Sequence, residues 1–234
     1  MYNENISVPF DYEQSKKTVE ALARKFPFLS VDVVGRTCLG RAIFAFTVGN
    51  KSNRVLLAGG FHGSEWLTCL ALFRFTERLC RAIEKKSQLC SVDVSRAFSE
   101  LGAVIIPCVN PDGVEIAVHG PSGARSARGF VESLGCKDYR KWNANAMGVD
   151  INHNFNAGWE ILRRMEEEQG IKEPAPRRFG GFHAESESET KALTRLCRLI
   201  PFRQAMAVHS QGEELYWQYG DETPSQAHMM AKIL

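Results

Sequence analysis

An α/β fold, with a mixed twisted sheet flanked by helices, is what this chain predicts on three observations. Short apolar runs of strand length recur along it, longer amphipathic stretches of helical spacing separate them, and glycine or Asn-Lys turns mark the boundaries. Strands alternating with helices build a sheet covered on its faces. With 234 residues, 44% of them hydrophobic, and no internal repeat or linker, one domain over 1–234 is the natural count.

The elements follow in order. Residues 11–26 carry Val19, Leu22, Ala23 and Phe26 at helical spacing, the apolar stripe of an amphipathic helix. Residues 31–34, 42–47 and 55–58 read as strands, 67–81 as a helix, and 104–108 as a strand feeding Asn110-Pro111. The stretch 112–147 is rich in loop residues, including Gly120-Pro121-Ser122-Gly123; a loop that long is functional or disordered, and it is expected to wall a cleft. Residues 161–169 and 187–199 read as helices, with Glu166-Glu167-Glu168 on a solvated face. A strand over 205–208 and another over 214–219 come next. The segment from Pro224 ends on Met229-Met230-Ala231-Lys232-Ile233-Leu234 without a C-cap signal, as a helix cut short would.

Composition excludes several classes of function. A net charge of +2, with basic residues only in isolated pairs such as Lys85-Lys86 and Arg177-Arg178, argues against a nucleic-acid partner. Seven cysteines, an odd number with no Cys-x-x-Cys spacing, read as free thiols in a reducing compartment. No basic and apolar leader opens the chain, and no apolar run approaches membrane-spanning length, so the expected protein is cytoplasmic with no membrane partner.

The most informative segment is His62-Gly63-Ser64-Glu65-Trp66. It follows the apolar run Val55-Leu56-Leu57-Ala58 and Gly59-Gly60, so His62 and Glu65 sit at a crest between a strand and a helix. Three residues apart there, an imidazole nitrogen and a carboxylate oxygen can converge on one point. A catalytic zinc takes three such protein ligands and keeps one position open. The candidate third is His209, which also ends an apolar strand-like run and precedes Ser210-Gln211-Gly212. Ligands collect at the carboxyl ends of strands in open α/β sheets, so two strand-exit histidines can face one crevice. His119, His153, His183 and His228 lack that setting.

With Asn110-Pro111-Asp112-Gly113, Gly148-Val149-Asp150-Ile151-Asn152-His153-Asn154-Phe155 and Ser186-Glu187-Ser188-Glu189-Thr190 in the same order, the chain resembles the zinc carboxypeptidases of the carboxypeptidase A type. The likeness runs from about residue 12 to the end. Around His209-Ser210-Gln211-Gly212-Glu213-Glu214 it is similar to the bacterial branch that cleaves γ-D-glutamyl-meso-diaminopimelate bonds in peptidoglycan stem peptides. The resemblance implies one zinc held by His62, Glu65 and His209, Asp150 as the hydrogen-bond partner of His62, and a peptide substrate contacted by Asn152 and Ser210.

Departures from the family pattern sharpen the expectation. His153 stands where the family's carboxypeptidases carry an arginine that clamps the substrate's terminal carboxylate; imidazole is neither bidentate nor always charged. That substitution suits a γ-glutamyl isopeptide substrate better than ordinary C-terminal trimming. Aligning on Trp142 puts Asn143 at the position of the oxyanion-stabilising arginine, with Arg140 as a substitute from two residues before the tryptophan. The general-base glutamate of the family lies beyond Leu234, so no catalytic base is assigned. Two other readings stay open. One is a zinc amidohydrolase of the aspartoacylase type, whose second histidine follows far more closely than the 144 positions found here. The other is a peptide-binding remnant without catalysis.

Overall fold

The computed structural model describes residues 8–220 and 223–232. The sequence readings on residues 1–5 and on Ile233 and Leu234 lie outside them. Helix α1 (Tyr12–Lys25) starts at Asp11, whose side chain accepts from the Gln14 backbone N–H as an N-cap. Strands β1 (Ser30–Arg36), β2 (Ala42–Gly49) and β3 (Arg54–Gly59) precede α2 (Trp66–Glu84). A two-residue hairpin, β4 (Gln88–Leu89) with β5 (Val92–Asp93), and α3 (Val94–Glu100) lead into β6 (Gly102–Ile106). Helices α4 (Pro111–His119), α5 (Arg128–Ser133), α6 (Trp159–Glu168) and α7 (Ser188–Leu199) follow, then β7 (Gln204–Val208) and α8 (Ala227–Ala231).

Five strands form the main sheet in the order β1-β2-β6-β3-β7. β1 and β2 pair antiparallel, as do β2 and β6; β3 runs parallel to both β6 and β7. The mixed sheet is therefore as expected. Alternation along the strands sorts side chains between two cores. Phe46, Val48, Ala103 and Ile105 pack on one face with Leu22 of α1 and Phe73 of α2. Ile43, Ala45, Val104 and Ile106 pack on the other with Ala192 and Leu193 of α7.

The stretch 112–147 departs from expectation. It is largely helical: α4, a 3-10 segment over Gly120–Ala127, α5, and a 3-10 turn at Tyr139–Lys141. Asn110 caps α4, its Oδ1 accepting from Gly113 N at 2.8 Å, and Pro111 occupies the first turn, where its missing N–H costs nothing. Val131, Trp142, Ala144 and Ala146 then close a third apolar cluster against Ile116 of α4. Frequent glycine and serine hid helices that are held by this tertiary packing. The expected strand over 214–219 is also absent: these residues are exposed and have no strand partner among the described residues. All seven cysteines are unpaired, and no helix among the described residues is long and apolar enough to cross a membrane.

Candidate active site

The parallel pairing of β3 with β7 places Gly59 opposite Val208, so the chain leaves both strands at the same edge of the sheet. His209 follows immediately, and His62 arrives three residues after Gly59 in extended backbone. A 3-10 turn over Gly63–Glu65 then brings Glu65 to the start of α2. Glycine is required at position 63. A Cβ there would lie 2.2 Å from the Gly113 carbonyl oxygen and 2.8 Å from that of Trp142. That close approach lets Gly63 N donate to Asn143 O and Ser64 N to Trp142 O, at 3.1 and 2.7 Å.

His62, Glu65 and His209 meet with one potential ligand atom from each within 4.8 Å of the others. Oε1 of Glu65 faces His62 Nδ1 at 3.1 Å, and Oε2 faces His209 Nδ1 at 2.9 Å. Behind His62, Nε2 lies 3.2 Å from Asp150 Oδ1, a buried oxygen with no well-directed hydrogen bond of its own. Phe61 stacks on the His209 ring with centroids 5.4 Å apart. Burial pulls the His62 imidazole toward its neutral form, but the contacts with Asp150 and Glu65 outweigh it and raise its pKa to about 9. Burial pushes the Glu65 carboxyl up, and the two imidazoles override this and hold it at about 2. Asp150 is lowered likewise: His62 overcomes its burial.

The donor set fits zinc. Two imidazole nitrogens and a carboxylate converge beside a cavity that Glu65 lines, and a second carboxylate backs one histidine. A second trio, Asp11, Glu115 and His119, also clusters, but the Arg41 guanidinium sits 3.2 Å from Glu115 Oε2, which disfavours a cation there.

A cavity of about 250 Å³ opens beside Glu65 of the first trio, lined by Ser64, Glu65, Asn143 and Ser210 together with Arg140 and other cationic side chains. Asn143 is buried, and its Oδ1 accepts from the Ser64 hydroxyl at 2.8 Å; its Nδ2 makes no hydrogen bond among the described residues. Arg140 reaches the cavity, but Asp138 holds its guanidinium through Nε–Oδ1 at 2.9 Å and Nη2–Oδ2 at 3.1 Å. Asn152 and His153 do not line it. His153 Nδ1 faces two acceptors, Glu166 Oε1 at 2.7 Å and the Arg178 carbonyl at 3.1 Å, so that nitrogen carries the proton and Nε2 is left for other partners.

Two features escaped the sequence reading. Glu166, expected on a solvated face, is buried and also accepts from Arg163 and from Gly180 N, because α6 packs this face against the segment around Gly180. Arg177, read as half of an isolated basic pair, is a wall of the cavity. Pro174 and Pro176, which stiffen the approach to that pair, were the available signal.

The model of the zinc carboxypeptidase family matches residues 16–232. The chain belongs to the zinc carboxypeptidase family. The Bacillus subtilis protein YqgT is 30% identical over 95% of the chain and 59% of its own length. The γ-D-glutamyl-L-diamino acid endopeptidase 1 of Lysinibacillus sphaericus is 26% identical over 95% of the chain and 56% of its own length, and human carboxypeptidase B is 28% identical over 89% and 48%. The chain thus spans about half the length of the curated relatives it matches. Among solved structures, thrombin-activatable fibrinolysis inhibitor superposes with a TM-score of 0.72 at 17% identity, covering 95% of the chain and 55% of its own. Carboxypeptidase A from Helicoverpa armigera does so with 0.67 at 23% identity, covering 95% and 51%. At such identities these two establish the shared zinc carboxypeptidase fold.

Proposed function

We propose that this zinc carboxypeptidase family chain is the metal-holding part of a peptidase that hydrolyses a γ-D-glutamyl-diamino acid bond of peptidoglycan stem peptides. The observation that carries the peptidase reading is the convergence of His62, Glu65 and His209 beside a cleft, with Asp150 behind His62. When bound by these residues, a zinc ion supplies the Lewis acidity that activates water and polarises the scissile carbonyl.

The remaining work falls to the chain's own side chains. Asp150 fixes the His62 ring through Nε2, leaving Nδ1 for the metal. Asn143, oriented by Ser64, has its Nδ2 available to donate to the developing oxyanion, a contact worth roughly 3 kcal/mol of barrier in comparable sites. Ser210, next to His209 in the chain, lines the cleft. The γ-glutamyl preference is supported by the similarity to the Lysinibacillus enzyme and by His153, whose Nδ1 is committed to Glu166 and which cannot fork onto a terminal carboxylate as arginine does.

A non-catalytic, peptide-binding role is favoured by one observation. Among the described residues, Glu65 is the only carboxylate lining the cavity. Glu213 and Glu214 are exposed, and Glu214 accepts from the Tyr216 hydroxyl. Without a positioned general base a rate falls by roughly 10²–10⁴-fold, so hydrolysis by the described residues alone is expected to be very slow.

The test has two arms. Elemental analysis of the purified protein is expected to give one zinc, lost in His62→Ala and in His209→Ala; a full equivalent retained in both variants places the metal elsewhere. Long incubation with a γ-D-glutamyl-diaminopimelate peptide and with a blocked dipeptide ending in a hydrophobic residue compares kcat/KM by mass spectrometry. Faster release of the hydrophobic residue sinks the γ-glutamyl assignment. Robust turnover that disappears in Glu213→Gln or Glu214→Gln would instead identify a substitute base.

A further inference from the structure

The cavity beside the candidate metal ligands is cationic, and its charges are only partly balanced by the protein. Arg140, Lys141 and Arg177 all line it, against the single carboxylate of Glu65. Glu65 is already compensated by the two imidazoles that face its oxygens. Arg140 is neutralised by its fork onto Asp138. The side chains of Lys141 and Arg177 make no hydrogen bond or ion pair among the described residues, Lys141 meeting Asp138 only through a longer-range attraction. Two unpaired cations in one concavity repel each other, and a bound anion removes that repulsion.

The backbone holding Arg177 is fixed to the candidate metal site from both sides. Before it, the Pro176 carbonyl accepts from Asn143 N at 2.9 Å and Ala144 N at 3.0 Å, and the carbonyls of Trp142 and Asn143 in turn hold the turn that carries Glu65. After it, Arg178 N donates to Asp150 Oδ2 at 3.0 Å, while Asp150 Oδ1 faces His62. Arg178 itself has φ of +69°, a left-handed conformation that side chains other than glycine adopt at a cost. The backbone is thus bent at Arg178, and of the two adjacent exposed arginines it is Arg177 that lines the cavity. An arginine so placed is suited to a carboxylate, which its guanidinium can grip with two parallel hydrogen bonds.

We infer that Arg177, assisted by Lys141, forms a carboxylate subsite that holds a free carboxylate of the substrate next to the bond to be cut. The inference rests on the γ-glutamyl peptidase reading above. It also gives that reading a specificity determinant at a point where His153 offers no fork. A γ-glutamyl-diaminopimelate substrate has carboxylates on both sides of its scissile amide: the α-carboxylate of the glutamyl residue and those of the diaminopimelate. The chemistry is the same for both, and the experiment separates them.

The readout is binding to the zinc-loaded protein by calorimetry, with zinc content measured on every variant as the check on folding. Three probes are compared: γ-D-glutamyl-diaminopimelate, the same dipeptide amidated at the glutamyl α-carboxylate, and the same dipeptide amidated at its diaminopimelate carboxylates. The wild-type protein is expected to bind one amidated probe about tenfold or more weakly than the parent, as loss of a charge-assisted contact implies. Arg177→Ala should weaken the parent by a similar factor and show no further loss with that amidated probe, while Arg177→Lys and Lys141→Ala fall between. Which amidation carries the penalty names the carboxylate held. Equal binding of all three probes by wild type, or an unchanged amidation penalty in Arg177→Ala, overturns the subsite and leaves the peptidase reading standing. Wild-type protein with a full zinc equivalent that binds none of the probes overturns both.

Discussion

His62 Nε2 lies 3.2 Å from Oδ1 of Asp150, and that arrangement leaves Nδ1 as the nitrogen for the proposed metal. With Nε2 turned to a buried carboxylate, Nδ1 is the atom that points at Glu65 and toward His209, whose ring centroid is 4.9 Å away. Asp150 is anchored independently of His62, through Arg178 N on its other oxygen. Replacing it with Asn keeps the size but offers a weaker acceptor in one orientation and a clashing donor in the other. Asp150→Asn is therefore expected to lower zinc affinity by about 10–100-fold with little loss of fold. Competition with a chromophoric chelator measures this; unchanged affinity would show that His62 needs no carboxylate behind it.

Zinc uptake should release protons. In the metal-free protein the His62 pKa is raised to about 9, so at neutral pH a metal must displace its proton. Apparent affinity should then climb by about tenfold per pH unit between pH 7 and 9 and level off above. The same shift has a stability sign: the charged His62 stabilises the metal-free fold fully below pH 6.5, and that contribution fades as pH rises through about 9. Calorimetry in buffers of different ionisation enthalpy counts the protons released, and no release at pH 7 contradicts the assignment.

Glu189, wholly buried at the start of α7, should make stability fall on the alkaline side of its ordinary range. Burial raises its pKa from 4.5 to about 7, against the opposing hydrogen bonds of the Glu189 N–H and the Ser188 hydroxyl. The unfolded chain ionises first, so the folded state loses stability from pH 4.5 up to about 7 and no more beyond. Glu189→Gln removes that slope and should gain roughly 1–3 kcal/mol at pH 8 relative to its effect at pH 4. Urea unfolding at the two pH values checks it; parallel losses in both proteins would rule Glu189 out as the source.

Gly63→Ala should damage fold and site together. The added methyl meets the backbone of Gly113 at 2.2 Å, where no flexible side chain can yield. Overpacking of this kind costs about 1–3 kcal/mol or more, and here it also displaces the turn that carries Glu65. A lowered melting temperature with weakened zinc binding is expected. If the melting temperature falls while zinc affinity holds, the turn does not depend on this contact.

Local signals were enough for the helices 11–26, 67–81 and 187–199 and for the first strands, because apolar periodicity and glycine boundaries are properties of neighbouring residues. They also gave His62 and Glu65 as a pair, since a strand, a glycine turn and a helix start can be read in one short window. The sequence could offer His209 as a companion from its own strand-exit setting, but Asp150 only through a resemblance. What brings them together is the parallel alignment of β3 with β7 and the docking of the 148–154 turn on the segment ending at Phe179, whose carbonyl accepts from Asp150 N at 2.8 Å. Helices α4 and α5 escaped for a related reason: their own residues are poor helix formers, and burial against Trp142 sustains them. Glu166 leaves the surface, and Arg177 comes to border the cavity, because of where α6 and the 174–180 segment carry them. Charge and residue type are written in the chain, but whether a charge meets water, a partner or an empty cleft depends on contacts between segments far apart in sequence, and only the folded structure sets those.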